Sequence, residues 1–318
     1  MSLFLAGRTL RAVLLVFVVS SAALLLVHLA PGDPFDGPET SPEFAEAERA
    51  RLGLNRPFLE QYATWLGRTA RLDFGESIRF KQPVVKLLAE RVPRTLLLGV
   101  SALLLAIGIG VPLGVRVGAA PYHWSSRLVT GVSMILVSVP PLVMSFVLLL
   151  LASRTGWFPT GGLGPPADAS ASTLERVTLS LHALILPALA LALPLAAVVE
   201  RLQSSAVSDA LQEPCLRAAL ARGVSRRRVI WNHALRLSLK PVLGVLGVLV
   251  GSVLSGSLVV EMVMSWPGVG QLMFQALVSR DIHLAAGCAA AASLALAAGV
   301  LLADVALAAV DPRIREAD

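Results

Sequence analysis

The side chains able to do chemistry are few and scattered. His28, His123, His182, His233 and His283 fall in different segments at no metal-ligand spacing, and each reads as structural. Cys215 and Cys288 form no metal-spaced pair and no disulfide framework, and read as small buried hydrophobes. No nucleophile–base pair is visible. No G-x-x-x-x-G-K-[S/T] phosphate loop occurs, so the chain is not expected to hydrolyse ATP or to be an enzyme. Glu261 and Asp304 stand in apolar surroundings, where a carboxylate is costly and faces protein or water. Glu261, with Ser265, Pro267 and Gly268 after it, has two readings. It shapes a permeation path or outer gate, or it is an interfacial carboxylate capped by loop backbone. Asp304 reads as an interfacial residue near a helix end.

The most informative stretch is Glu200–Lys240. Glu213 to Arg222 is rich in good helix formers, and Pro214 suits a first turn. Gly223 can supply the left-handed residue that ends a helix, and Ser225 can cap a second one beginning at Arg226. The spacing predicts helix–Gly–helix. Leu216, Ala219 and Leu220 would form a small apolar face, with Arg217 and Arg222 elsewhere on the surface. Such an element suits a groove on another protein. A basic loop that only sets topology or touches anionic lipid is the alternative.

What positions these residues follows from composition. Of 318 residues, 55% are hydrophobic and only 15% charged, against about 25% charged in an ordinary soluble domain. Disorder and a soluble enzyme are excluded. Aromatics are 5%, with none of the alternating short strands of a membrane barrel. A membrane crossing needs about 20 apolar residues. Such runs occur at about 10–30, 95–115, 128–152, 181–199, 241–262 and 284–310, which predicts an all-α, polytopic protein with six transmembrane helices. Pro140 and Pro141 predict a break in the third run, and Pro187 and Pro194 an interruption of the fourth, both around a cavity. The first run is too long for a signal peptide.

The chain divides into a short N-terminus and first span (1–30), an external loop subdomain (31–94), a five-helix core (95–310) holding the 200–240 segment, and a tail (311–318). The external stretch carries ten basic and ten acidic residues. Leu59, Tyr62, Ala63, Leu66 and Gly67 have the spacing of an amphipathic helix. The N-terminus, second loop, fourth loop and C-terminus carry 14 Lys/Arg, and the third and fifth loops carry 3. The positive-inside rule therefore puts both termini and 200–240 in the cytoplasm. The net charge of +6 maps topology and a protein-docking surface rather than nucleic-acid binding.

Ala218-Ala219 followed by Gly223 resembles the "EAA" loop by which permease subunits of ABC transporters engage their ATPases. More narrowly, Arg217-Ala218-Ala219-Leu220-Ala221-Arg222-Gly223-Val224-Ser225-Arg226-Arg227-Arg228-Val229, His233-Ala234-Leu235-Arg236 and the Pro241 ahead of the fifth span resemble the loop of dipeptide/oligopeptide/nickel-type permeases. Pro31-Gly32-Asp33-Pro34, Leu52-Gly53-Leu54-Asn55-Arg56-Pro57, Asp73-Phe74-Gly75-Glu76-Ser77, Glu261 to Gly270 and Asp311-Pro312-Arg313-Ile314-Arg315 are similar to further motifs of that family, in its order. Cys215 stands where an aromatic is usual, Ala218 for Thr and Arg222 for Lys. The resemblance implies the type I ABC importer permease (MetI-like) fold in a bacterial inner membrane. It also implies a heterodimer with a second permease, two ATP-binding subunits that hold ATP and Mg, and an external substrate-binding protein. No cofactor is implied in this chain. The coupling residues it points to are Glu213, Leu216, Arg217, Ala218, Ala219, Leu220, Arg222, Gly223, His233 and Arg236. Cargo of such systems includes peptides, nickel complexes and glutathione. A standalone secondary transporter or channel is the competing class; it would need midplane carboxylates or inverted repeats.

Overall fold

The computed structural model describes residues 2–29, 42–52, 55–69, 71, 73–162 and 173–310. The motif at 31–34, most of the loop after Gly162, Gly53-Leu54 and the tail 311–318 lie outside the described residues.

In chain order the helices are α1 (Ser2–Leu29), α2 (Pro42–Leu52), α3 (Phe58–Thr69), α4 (Val84–Ala119), α5 (Trp124–Ser138), α6 (Pro141–Thr155), α7 (Thr173–Ala210), α8 (Pro214–Ala221) and α9 (Arg226–Arg228). A π-helical turn (Val229–Ala234) leads into α10 (Leu235–Gly244), α11 (Leu246–Val263), α12 (Val269–Val278) and α13 (Ile282–Val310). The one β feature among the described residues is an isolated bridge between Glu76 and Pro83.

Five helices, α1, α4, α7, α11 and α13, are long and apolar enough to cross a membrane. α5 and α6 are apolar enough together for a sixth crossing if the pair is one broken span; they meet at a bend of 109°. The cause is Pro140-Pro141: Val139 and Pro140 are extended, and Pro141 opens α6 at a position where its missing N–H costs nothing. This is the predicted break.

The expected interruption of the fourth run does not occur. α7 is one helix through Pro187 and Pro194. Each proline forfeits one intrahelical bond, and a helix packed on most sides tolerates that. In the most apolar stretch of α7, 61% of residues are buried, against 12% for α1. α7 is the axis of the bundle and α1 lies outside it. α7 also continues to Ala210, so the first part of 200–240 is helix rather than loop. At the fifth run, Pro241 lies inside α10 and the spanning helix starts after Val245. α12 was not anticipated.

α4 and α7 form the most extensive helix pair. Gly110, Gly114 and Gly118 of α4 lie against Ala196, Glu200 and Ser204 of α7. A Cβ at Gly110 or Gly114 would come within 2.6 Å of the facing backbone carbonyl. This is the small-residue seam by which helices approach closely where lipid gives no hydrophobic drive. At its end Gln203, fully buried, donates to the Ser238 hydroxyl at 2.7 Å. Glu200 is 1% exposed, and among the described residues neither carboxylate oxygen has a hydrogen-bond partner.

The outer helix α1 packs on α13. Arg8 forms an ion pair with Asp304 there, so the acidic residue of the last span is held by the first. The Ser21 and Tyr62 hydroxyls, 2.8 Å apart, tie α1 to α3, the amphipathic helix expected around Leu59–Gly67.

Candidate coupling element and extramembrane junction

The candidate coupling segment begins where α7 ends. Glu213 precedes α8 in extended geometry and Pro214 occupies its first position. The helix ends at Ala221, and Gly223 takes φ +85°, with no atom of the described residues within 4 Å of where a Cβ would stand. That is the left-handed termination read from the sequence. Ser225 precedes α9, but its side chain makes no capping hydrogen bond. The expected cap is absent; the turn is set by backbone, with Val229 N–H donating to the Ser225 carbonyl.

The expected apolar face of α8 is divided. Leu216, 4% exposed, and Ala219 turn inward onto Ala210, Val229 and Ala234, so they seat the helix on the protein. Leu220 is 41% exposed. Arg217, Ala218, Arg222 and Gly223 are also exposed, as are Glu213, His233 and Arg236. Cys215 is exposed rather than buried, because it shares the outer side of α8. An eight-residue helix with one buried anchor leaves most of its surface free.

The second candidate group surrounds Glu261. Its carboxylate is fully buried. Oε1 accepts from the Thr95 hydroxyl at 2.7 Å; Oε2 accepts from the backbone N–H groups of Gly270 at 2.6 Å and Gln271 at 3.2 Å. Thr95 Oγ1 in turn accepts from Val269 N–H at 2.8 Å. Glu261 and Thr95 thus satisfy the orphan donors at the start of α12, which a helix end buried in a bundle requires. Gly268 is glycine because a side chain there would enter the Glu261 carboxylate. Trp266, 1% exposed, donates from Nε1 to the Arg94 carbonyl at 3.2 Å. Ser265 is exposed at φ +54°, and Pro267 bridges the turn.

A matching carboxylate was missed. Asp281, fully buried, accepts from Leu284 N–H at 3.1 Å, capping α13. Its other oxygen accepts from the Ser77 hydroxyl at 2.5 Å and from Arg79 N–H at 3.1 Å. Ser77 closes the Asp73–Ser77 motif. The signal available in the sequence was an Asp just before an apolar run, a capping position.

His182 packs its ring 5.2 Å from Phe158, His123 heads α5, and Cys288 is buried. Among the described residues no three metal-ligating side chains meet.

The described helices make a multi-pass membrane bundle, with the short α8 largely exposed and seated on Ala210 at the end of α7, Val229 and Ala234. Residues 110–316 match the family model "Binding-protein-dependent transport system inner membrane component", and residues 1–99 match the model of its N-terminal region. The chain belongs to this family, as an ABC permease of the peptide and oligopeptide importer type. It is 33% identical to the oligopeptide transport system permease protein AppB of Bacillus subtilis over 99% of both chains. It is 32% identical to a putative peptide transport system permease protein of Brucella abortus, again over 99% of both. Identity to the glutathione transport system permease protein GsiC of Escherichia coli is 33%, over 94% of both.

Proposed function

We propose that this chain is one of two non-identical permeases of an importer, carrying peptides or similar small solutes, and that α8 to Gly223 couples it to an ATPase subunit. The observation that carries the coupling is the free surface of α8: Arg217, Ala218, Leu220 and Arg222 face outward on a helix whose exit angle is set by a left-handed glycine. Leu216 and Ala219 anchor it beside the end of α7, so a push on α8 passes into the central helix of the bundle. Both termini lie in the cytoplasm with this segment, as the distribution of Lys and Arg supports. ATP and Mg are held by two separate ATP-binding subunits, whose closure moves α8 and opens the cavity outward. An external binding protein delivers the cargo.

Gly223→Glu tests this. Transport and transport-coupled ATPase activity of the assembled importer are expected to be lost while the permease reaches the membrane at normal abundance. Normal transport by that variant would remove the coupling assignment. Co-purification separates the competing class: a second permease and an ATPase are expected, and a functional homo-oligomer without them would support a standalone transporter.

A further inference from the structure

We propose that the cleft between the α4–α5 turn and the π-helical turn binds the phosphate headgroup of an anionic phospholipid, with its acyl chains lying along α5. The cleft has a volume of about 410 Å³ and is lined by Arg116, His123, Ser125, Ser126 and Trp231 among others. Its lining holds two side chains able to carry positive charge, two hydroxyls and no acid among the described residues. Arg226 stands at its edge: one guanidinium nitrogen donates to the Ala119 carbonyl at 3.0 Å. A guanidinium has five N–H donors in all. Basic pockets between helices at a membrane surface suit anionic headgroups.

The surroundings point to a lipid rather than free phosphate. The turn lies at the end of the spanning helix α4, where the apolar α5 begins, so the cleft sits at the bilayer boundary. Tyr122 and Trp124 there are 85% and 71% exposed, as aromatic side chains are at that depth. One turn on from Trp124, Leu128, Val132 and Ile135 form an exposed aliphatic stripe down α5, where acyl chains would lie. Headgroup, interface and chain regions of one lipid each meet matching chemistry in sequence along one helix.

The consequence is regulatory. The cleft has one wall on α4 and α5 and the other on Ile230 and Trp231, in the π-helical turn that follows α8 and α9. A lipid here ties that segment to the bundle, beyond the Arg226–Ala119 bond.

The test uses the assembled importer in detergent, with native mass spectrometry counting added dioleoylphosphatidylglycerol against dioleoylphosphatidylcholine. The wild type is expected to retain phosphatidylglycerol preferentially, and R116Q to lower that occupancy about fivefold. R127Q, an exposed arginine of α5 outside the cleft lining, is expected to retain it, which separates loss of the site from loss of fold. Equal retention of both lipids, or unchanged retention in both R116Q and R116Q/H123Q, would overturn the proposal. So would displacement by millimolar glycerol phosphate, which would assign the cleft to a soluble phosphate. Retention only by permeases stripped of ATPase subunits would overturn it as well, since the cleft would then be a protein contact.

Discussion

Gly223 and Gly268 sit in the two most motif-rich stretches of the chain and are glycine for opposite reasons. At Gly268 the backbone is extended, and the constraint is space, because a side chain would occupy the Glu261 carboxylate. At Gly223 there is open space and the constraint is the backbone, at φ +85°. The first glycine lets the protein close on itself. The second lets a segment project from it. The Glu261 junction therefore serves packing, while the α8 segment leaves a free surface, and if α8 couples to a partner as proposed, mutations in the two should fail differently.

The largest effect is expected at the junction. Glu261→Ala leaves two backbone N–H groups and the Thr95 hydroxyl without their acceptor in a buried site. Each unsatisfied group costs about 1–3 kcal/mol, so the apparent melting temperature and membrane abundance should both fall steeply. A variant with wild-type melting would show that Glu261 is not structural and reopen its role at an outer gate. Next comes Gly114→Val, which drives a branched side chain into the Glu200 carbonyl across the α4–α7 seam. Overpacking of this kind costs about 1–3 kcal/mol, read as a lower melting temperature with unchanged binding of ATPase subunits in whatever fraction folds.

At the coupling segment stability and function should separate. Gly223→Ala puts a Cβ on a left-handed residue with nothing to strike, a cost of about 1 kcal/mol. Melting should fall by only a few degrees, and coupled ATPase activity should drop further than that loss accounts for. Equal loss of both would mean that this turn is structural like the junction. The smallest effect is expected for Ser225→Ala. Losing an N-cap ordinarily costs about 1 kcal/mol, but the Ser225 side chain makes no such bond. Its melting should match the wild type within about 0.5 kcal/mol.

Much of this was legible in local sequence. The apolar runs marked the crossings, Pro140-Pro141 the bend, and Pro214 and Gly223 the two ends of α8, because each acts through its own backbone or through length. What failed required knowing the neighbours. Pro187 and Pro194 read as breakers, yet α7 absorbs both because it is the helix most enclosed by others. Leu216 read as part of an outward face, yet it is the residue that fastens α8 inward. Asp281 went unnoticed because its partners, Ser77 and Arg79, are some 200 positions away. The pairing of Arg8 with Asp304, nearly the whole chain apart, was equally invisible.

By itself the sequence determined that this is a multi-pass helical permease with a projecting helix–glycine element, since hydrophobic length, proline and glycine act within a few residues. Only the tertiary structure decided which carboxylates are caps, which glycines are contact points and which side of α8 stays free. Those properties belong to pairs of residues distant in sequence, and a buried polar group is defined by what lies opposite it.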